Sequence, residues 1–163
     1  MENSKVITIE GLTKHFPIGG GRFTALSDIN LTFEKGEFTG IVGPSGSGKT
    51  TLLNIIGSLD APSEGKATVL GQSIGELSHR DAAKLRNEYF GFIFQTYNLL
   101  PVYTVFENVE FPLLLLRMPT AERRKAVLDA LEWVGLSDKE ESKPAQLSGG
   151  ECQRVAIARA MVK

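Results

Sequence analysis

The chain has 163 residues, of which 42% are apolar and 23% charged, an ordinary composition for one globular domain or a large part of one. Its formal net charge of −1 gives no general attraction to nucleic acid or to an anionic membrane. The single cysteine, Cys152, excludes an internal disulfide and fits a reducing compartment. Residues 1–10 lack the apolar block of a signal peptide, and the longest apolar run, Phe111 to Leu116, is too short to span a bilayer. Any role at a membrane is therefore expected from the aqueous side.

The first half of the chain predicts mainly strands. Ile29 to Glu34 alternates apolar and polar residues, which is the period of a strand with one buried face. Phe38 to Val42 is apolar and predicts a buried strand, and the glycines at 19–21 predict a turn. The remaining elements predicted here are a strand at Val6–Ile9, a helix at Thr51–Ile56 and a strand at Lys66–Leu70.

The second half predicts helices after one more strand. Gly91 to Phe94 is expected to be a short buried strand that ends at Gln95. Four helices are predicted. The first runs from Ser78 to about Glu88 with a Ser78–Asp81 capping box, and the second begins at a Thr104–Glu107 capping box and is interrupted or kinked by Pro112. The third is capped by Thr120 and stopped by Gly135, and the fourth runs from Glu151 to Met161. Together these elements predict a mixed sheet around a loop, with a helical segment inserted after Gln95.

A phosphate-binding loop is the most informative motif. Its residues fit the pattern Gly-x-x-x-x-Gly-Lys-[Ser/Thr], and they are Gly43, Pro44, Ser45, Gly46, Ser47, Gly48, Lys49 and Thr50. Glycines let successive backbone N–H groups point at phosphate oxygens, where a Cβ would obstruct them. Lys49 is expected to reach the β- and γ-phosphates, and the Thr50 hydroxyl to bind Mg²⁺. Thr51 then opens a helix whose positive end faces the phosphates, which a flexible linker would not explain.

A second group of residues, Leu147 to Arg154, predicts another anion site. Ser148, Gly149 and Gly150 stand directly before a helix, so free N–H groups and the helix dipole point at one place. The alternative is that Ser148 is only a helix N-cap and the glycines only a turn. Because one triphosphate does not need two helix N-termini distant in sequence, we expect a dimer in which each chain closes over the nucleotide of the other.

These motifs resemble the ATP-binding domains of ABC transporters over essentially the whole chain. Gly43 to Thr50 is similar to the family's Walker A loop, and Leu147 to Gln153 is similar to its signature motif. Gln95 resembles the Q-loop glutamine, and Phe16 falls where the family stacks an aromatic residue on adenine. Taken alone, Gln95 would be a surface glutamine and Phe16 a core or edge aromatic residue. The resemblance implies an α/β P-loop NTPase fold of the ABC type, with an N-terminal antiparallel β subdomain and an inserted α-helical subdomain.

The resemblance also implies residue roles and partners. Lys49, Gln95 and Ser148 are expected to be catalytic, Thr50 and Gln95 to hold Mg²⁺, and the loops described above to bind ATP. The stretch after Phe92 is similar to the lipoprotein-release and macrolide-efflux branch, which implies a homodimer of ATP-binding subunits on transmembrane permease subunits. Tyr97 to Glu107 is the expected docking surface for the permease. The location implied is cytoplasmic and peripheral on the inner face of the cell membrane, with no nucleic acid partner.

The family's magnesium-binding aspartate, its water-activating glutamate and its switch histidine all follow the signature helix. Because no matching strand with two acidic residues follows that helix in this sequence, we expect a domain truncated at its C-terminus. Within it, residues 1–95 are expected to form the β and phosphate-loop portion and residues 96–163 the helical subdomain with the signature motif. The 163 residues alone are then expected to hydrolyse little ATP. The alternatives are a soluble ABC-type ATPase acting on nucleic acid or the ribosome, and a non-hydrolysing nucleotide-binding fragment. Other P-loop enzymes do not explain Leu147 to Gln153.

Overall fold

The computed structural model describes residues 5–163. It divides the chain into two compact units, the first ending at Arg86 and the second running from Asn87 to Lys163. The boundary at residues 95 and 96 that the sequence predicts remains a prediction, and of the residues 1–10 only those from Lys5 onward are described.

The first unit contains a four-stranded sheet. Its strands are β1 (Lys5–Ile18), β2 (Gly21–Glu34), β3 (Glu64–Val69) and β4 (Gln72–Ser73), arranged in the order β2-β1-β3-β4. All the strand pairs in the described part of the chain are antiparallel, so the predicted mixed sheet is wrong there. The three long strands confirm the predicted ones, and the turn at Gly19 has a φ of 53° that favours glycine.

Two helices accompany this sheet. α1 (Lys49–Ile56) buries Leu52, Ile55 and Ile56 and contacts β2 and β3. A 3₁₀ turn at Ile74–Glu76 precedes α2 (His79–Tyr89), whose last three residues are counted in the second unit. The predicted Ser78–Asp81 pairing at the start of α2 is formed in part: the Asp81 N–H donates to the Ser78 hydroxyl at 3.1 Å. The second bond, 2.6 Å long, runs from that hydroxyl to the Asp81 carboxylate and not from the backbone N–H that a capping box uses.

Two predicted strands are not formed. Neither Phe38–Val42 nor Gly91–Phe94 has strand structure. Phe38 is 101% exposed and Val42 93% exposed, and Ile93 and Phe94 are also exposed. Apolar composition favours a strand, but a strand forms only where a second strand accepts its backbone hydrogen bonds. No strand among residues 5–163 pairs with either segment.

The second unit is helical. It contains α3 (Val105–Leu115), α4 (Thr120–Trp133) and α5 (Gly149–Met161), with 3₁₀ turns at Ser137–Lys139 and Pro144–Gln146. All three helices contribute to one apolar core, whose most buried members include Val105, Val109, Leu113, Val127, Leu131, Leu136, Val155 and Ala158. Full burial of each larger aliphatic side chain contributes about 1.5–3 kcal/mol.

The helix ends agree with the sequence in part. Thr104 and Glu107 form the predicted capping box, and Gly135 ends α4 with a φ of 68°. Pro112 does not interrupt α3, which continues to Leu115; we attribute this to the burial of Val109 and Leu113 on the same helix. Thr120 is not the cap of α4: Pro119 is the N-cap, and its carbonyl oxygen accepts from the Arg123 N–H at 2.9 Å. A proline with extended ψ defines the helix start here, and no side-chain cap bond is made.

Candidate functional site: the phosphate loop and the signature helix

The phosphate loop leads directly into α1 and requires its last glycine, Gly48. Gly48 has a φ of 86°, a conformation that side chains rarely adopt. A Cβ placed there would lie 2.6 Å from the Ala25 carbonyl oxygen and 2.7 Å from Leu26 Cδ2. Gly46 also has a positive φ, 81°, but a Cβ on it meets nothing within 4 Å. Gly48 is therefore fixed by the packing of the loop on β2, whereas the space above Gly46 is open.

Lys49 folds back across this loop. Its ammonium donates to the carbonyl oxygens of Gly43 at 2.8 Å and Pro44 at 2.7 Å, and it lies 3.4 Å from the Ser47 hydroxyl. The Ser47 N–H closes a turn on the Pro44 carbonyl oxygen at 3.3 Å. A positive charge therefore sits in the concave side of the loop, where an anion would be neutralised.

The N-terminus of α1 fits a polyphosphate. Its N-cap residue is Gly48, no side chain of the described residues caps it, and its first turn holds no acidic residue. The N–H groups of Lys49, Thr50 and Thr51 therefore face no competing carboxylate, and the helix dipole adds positive potential. Thr50 is exposed in this first turn, and its hydroxyl is the kind of hard oxygen ligand that Mg²⁺ accepts. No group of three or more His, Cys, Asp or Glu side chains suited to a metal occurs among residues 5–163.

Phe16 lies near the end of β1 and is 36% exposed, which argues against a core role. It stands opposite Phe23 of β2 in the sheet register. The Lys14 ammonium lies over its ring, 5.2 Å from the centroid. Sequence reasoning did not single out Lys14, because a lysine two residues before an aromatic residue carries no specific signal.

In the second unit, Gln95 is exposed at a tight turn. The Tyr97 N–H donates to the Phe94 carbonyl oxygen at 3.0 Å, which encloses Gln95 in that turn. Tyr97 and Asn98 both have positive φ, 59° and 48°. Their carbonyl oxygens accept hydrogen bonds from Arg159 of α5, a residue whose part the sequence did not reveal.

Ser148 is the N-cap of the signature helix α5. Its hydroxyl accepts from the Glu151 N–H at 3.3 Å, and its own N–H and O–H donate to the Glu151 carboxylate at 2.7 and 2.8 Å. These bonds from Ser148, the backbone one first, lower the pKa of Glu151. Gly149 and Gly150 are exposed in the first turn, and the Tyr97 hydroxyl lies 3.6 Å from where a Cβ of Gly149 would be. The capping role that the sequence left open for Ser148 is thus formed, and an anionic group already lies at this helix end.

The predicted site residues fall into two groups. Phe16 and Gly43 to Thr51 belong to the first unit, and Gln95 with Ser148 to Gly150 belong to the second. The joint binding of Mg²⁺ by Thr50 and Gln95 remains a prediction.

Comparison with known proteins agrees with this geometry. The family model described as ABC transporter matches residues 26–163. The macrolide export ATP-binding/permease protein MacB of Acinetobacter baylyi is 46% identical over 162 residues, covering 99% of this chain and 24% of that protein. YvrO of Bacillus subtilis, an uncharacterized ABC transporter ATP-binding protein, is 47% identical, covering 96% of this chain and 69% of that protein.

Solved structures give the same result. The dimeric structure of MJ0796, a bacterial ABC transporter cassette, superimposes with a TM-score of 0.89 at 44% identity, covering 96% of this chain and 69% of that one. A second dimeric structure of MJ0796, in a post-hydrolysis state bound to ADP and Pi, has the same TM-score at 43% identity.

The loop geometry and these matches define an α/β protein of the phosphate-loop class. The chain belongs to the ABC transporter family, and it is an ATP-binding domain of that family. The predicted ABC-type fold, with an antiparallel β portion and a helical portion, is confirmed. The chain spans about a quarter of the length of MacB, 24%, and 69% of YvrO. Among residues 5–163 no helix has both the length and the apolarity that crossing a bilayer requires.

Proposed function

We propose that this chain binds ATP with Mg²⁺ on its phosphate loop and takes part in ATP-driven transport. The uncapped N-terminus of α1 under the Lys49 ammonium carries the proposal, because this arrangement offers backbone donors, a dipole and a positive charge to one polyphosphate. Backbone N–H groups from Gly43 to Thr51 hold the phosphates. Lys49 releases its hold on the Gly43 and Pro44 carbonyl oxygens to neutralise charge on the β- and γ-phosphates.

Further residues are proposed to bind the magnesium ion and the adenine base of ATP. Mg²⁺, when bound, neutralises charge that develops on the phosphates, and the Thr50 hydroxyl and the Gln95 side-chain oxygen are its proposed protein ligands. Phe16 stacks on adenine, an interaction worth roughly 1–3 kcal/mol. The exposure of Phe16 and of Gln95 supports both assignments.

Two copies act together in this proposal. Ser148, Gly149 and Gly150 of one copy contact the γ-phosphate held by the other copy, and Lys49, Gln95 and Ser148 thereby form the catalytic set. The dimeric structures of MJ0796 support the pairing. A γ-phosphate at this helix end would compete with the Glu151 carboxylate for the Ser148 donors, so Glu151 must move as the dimer closes.

The membrane partner is proposed to be a pair of transmembrane permease subunits. The ATP-binding domains are proposed to bind them at the cytoplasmic face of the membrane. The segment Tyr97 to Glu107 is the docking surface, and the exposure of Val102, 71%, and of Tyr103, 39%, supports it. Transport is of the export or lipoprotein-release type, and the support for this is the macrolide export for which the relative MacB is named. No nucleic acid partner is proposed. The domain is organised as 1–95 and 96–163, with the signature motif in the second part.

The 163 residues taken alone are expected to bind ATP better than they hydrolyse it. They contain no acidic pair after the signature helix to orient a water molecule, so we propose that this polypeptide binds ATP but turns it over slowly. Steady turnover by the purified 163-residue chain, lost on Lys49→Ala, would contradict this.

Nucleotide binding is tested by titration calorimetry with ATP and Mg²⁺. Lys49→Ala should weaken binding by roughly tenfold or more, because a charge-assisted contact is worth about 1.5–3 kcal/mol. Lys125→Ala is the matched control, since Lys125 is exposed and forms an ion pair with Asp129 in the second unit. Equal ATP affinity of the Lys49 variant and the parent protein would overturn the proposed site.

Dimer closure is tested at Gly150. A Cβ there would lie 4.0 Å from an Arg154 nitrogen, and an acidic residue in the first turn favours the helix. Gly150→Asp should therefore leave α5 folded, as seen by circular dichroism, while its carboxylate repels a γ-phosphate. Sedimentation in the presence of ATP should then show the parent chain dimeric and the variant monomeric. ATP-dependent dimerisation that survives this substitution would exclude the proposed contact.

A further inference from the structure

Lys14 is held in place by three separate contacts in the first unit. Its ammonium lies 2.6 Å from Asp60 Oδ1 and donates to the Ala61 carbonyl oxygen at 2.8 Å. The same ammonium lies over the Phe16 ring, 5.2 Å from its centroid. The Lys14 side chain is only 12% exposed, so these contacts fix its position.

We propose that Lys14 is a positioning residue for the base of the nucleotide, which it serves by holding Phe16 as a one-sided stacking surface. This inference rests on the proposed function of Phe16. The ammonium lies over one face of the ring and Phe16 is 36% exposed, so the inference places the base on the opposite face. A base can then stack on one side only, at a place fixed by β1 and the Asp60–Ala61 turn.

The cation also changes the ring that it covers. An ammonium over an aromatic face attracts the π electrons toward itself. The opposite face then carries less negative charge, which reduces its repulsion with the π electrons of a stacked base. Phe16 has no hydroxyl to orient it by hydrogen bonding, so the Lys14 contact takes over the orientation of the ring.

The charge of Lys14 acts locally. Asp60 balances it at 2.6 Å, which leaves little net field at a distance. Loss of Lys14 should therefore affect the base and leave the phosphates unaffected. A lysine that only ties β1 to the Asp60–Ala61 turn would behave differently, because its loss would disturb the unit and weaken every ligand alike.

The experiment compares two ligands, ATP and inorganic tripolyphosphate, each titrated with Mg²⁺ into the folded protein. The ratio of their affinities isolates what the base contributes. Lys14→Met should weaken ATP binding by roughly three- to tenfold and leave tripolyphosphate binding unchanged. Lys14→Arg, which keeps both the cation over the ring and a partner for Asp60, should retain most of the parent ratio.

Lys125→Met is the matched control, because it removes the lysine of an exposed Lys–Asp pair in the second unit. It should leave the ratio unchanged. If Lys14→Met lowers the affinity for both ligands equally, or for neither, the inference is wrong. Circular dichroism of each variant checks that it folds. If Lys14→Met does not fold, Lys14→Gln, which also removes the cation, takes its place in the comparison.

Phe16→Ala separates the inference from the proposed function. It should reduce the affinity ratio at least as far as Lys14→Met does. An unchanged ratio in the Phe16 variant would show that the base binds elsewhere, which refutes the stacking role and the Lys14 inference together. A ratio lowered by Phe16→Ala but not by Lys14→Met refutes the Lys14 inference alone.

Discussion

Arg159 of the signature helix α5 donates to the carbonyl oxygen of Tyr97 at 2.6 Å, across 62 residues of sequence. A second bond, 2.7 Å long, runs from the same guanidinium to the carbonyl oxygen of Asn98. Both acceptor residues have positive φ, which costs non-glycine residues of order 1–3 kcal/mol each. The guanidinium is partly buried, which lowers its pKa without removing its charge. One planar side chain therefore holds the strained turn that follows Gln95.

Arg159→Ala should lower the free energy of unfolding by about 3 kcal/mol, because two charge-assisted bonds at about 1.5–3 kcal/mol each are lost while the loop relaxes in part. Urea unfolding measures this, and limited digestion with chymotrypsin should show faster cleavage at Tyr97. Arg159→Lys should recover less than half, since lysine lacks the planar fork. Arg80→Ala, at an exposed position of α2, is the control. Unchanged stability and cleavage in Arg159→Ala would mean that the turn holds itself.

Asn108 is the buried polar side chain of α3, with 0% exposure. Its amide accepts from the Leu100 N–H at 2.7 Å and donates to the carbonyl oxygens of Leu100, Tyr103 and Thr104 at 3.1, 3.3 and 2.9 Å. Asn108→Ala leaves the Leu100 N–H and the Tyr103 carbonyl oxygen without this partner, whereas the Leu100 and Thr104 carbonyl oxygens still accept from the backbone N–H groups of residues 103 and 108. We therefore expect a loss of roughly 3 kcal/mol in urea unfolding.

Asn30→Ala is the matched control for Asn108. Asn30 also accepts from a backbone N–H, that of Gly11 at 2.7 Å, but it is exposed. Water can replace it there, so its loss should cost about 1 kcal/mol or less. Equal costs for the two variants would contradict the argument from burial.

The two glycines of the phosphate loop should respond differently to alanine. Gly48→Ala brings a Cβ within 2.7 Å of both a β2 carbonyl oxygen and Leu26, so both stability and ATP binding should fall. Gly46→Ala meets open space, and only the strain of its positive φ, about 1–2 kcal/mol, opposes folding. Its methyl group would occupy space that we propose for the phosphates. The loss in the binding free energy of ATP should therefore exceed the loss in the free energy of unfolding. Thermal unfolding with and without ATP separates the two effects, and an ATP affinity preserved in Gly46→Ala would argue against that position for the phosphates.

The sequence predicts those features that depend on neighbouring residues. The Gly43–Thr50 loop, the Thr104–Glu107 capping box and the Gly135 helix end each depend on a few consecutive positions, and all are formed. Ser148 is a cap for the same reason. Local chemistry is sufficient in these cases because the hydrogen bonds join residues at most a few positions apart.

Features that depend on a distant partner are not predictable in this way. Phe38–Val42 has the composition of a strand, yet the described residues supply no strand beside it. Lys14 meets Asp60 across 46 residues, and no spacing rule indicates that pair. Pro112 predicts a helix break, but the buried residues on either side of it keep α3 continuous. Tertiary packing decides these cases, and a single sequence does not encode it in a readable pattern.

The Ser148–Glu151 capping box should make stability depend on pH. The bonds from Ser148 hold the pKa of Glu151 below its ordinary value of 4.5, so the folded state favours the ionised carboxylate. A group whose pKa is lowered by folding stabilises the protein above the pKa of the unfolded chain. That contribution is lost as the pH falls below 4.5 and through the folded-state value. Urea midpoints at neutral pH and in acid measure this directly.

Glu151→Gln is the informative substitution, because glutamine still accepts from the Ser148 N–H but carries no charge. The parent protein should therefore be more stable than the variant at neutral pH, with the difference shrinking as the solution is acidified. Glu141→Gln removes an exposed carboxylate that makes no capping bond, and it should not reproduce this trend. Glu151→Gln also tests the proposed dimer, because its uncharged amide competes less than the carboxylate with a γ-phosphate for the Ser148 donors. A stability difference that stays constant with pH would show that the carboxylate charge contributes nothing at this helix end.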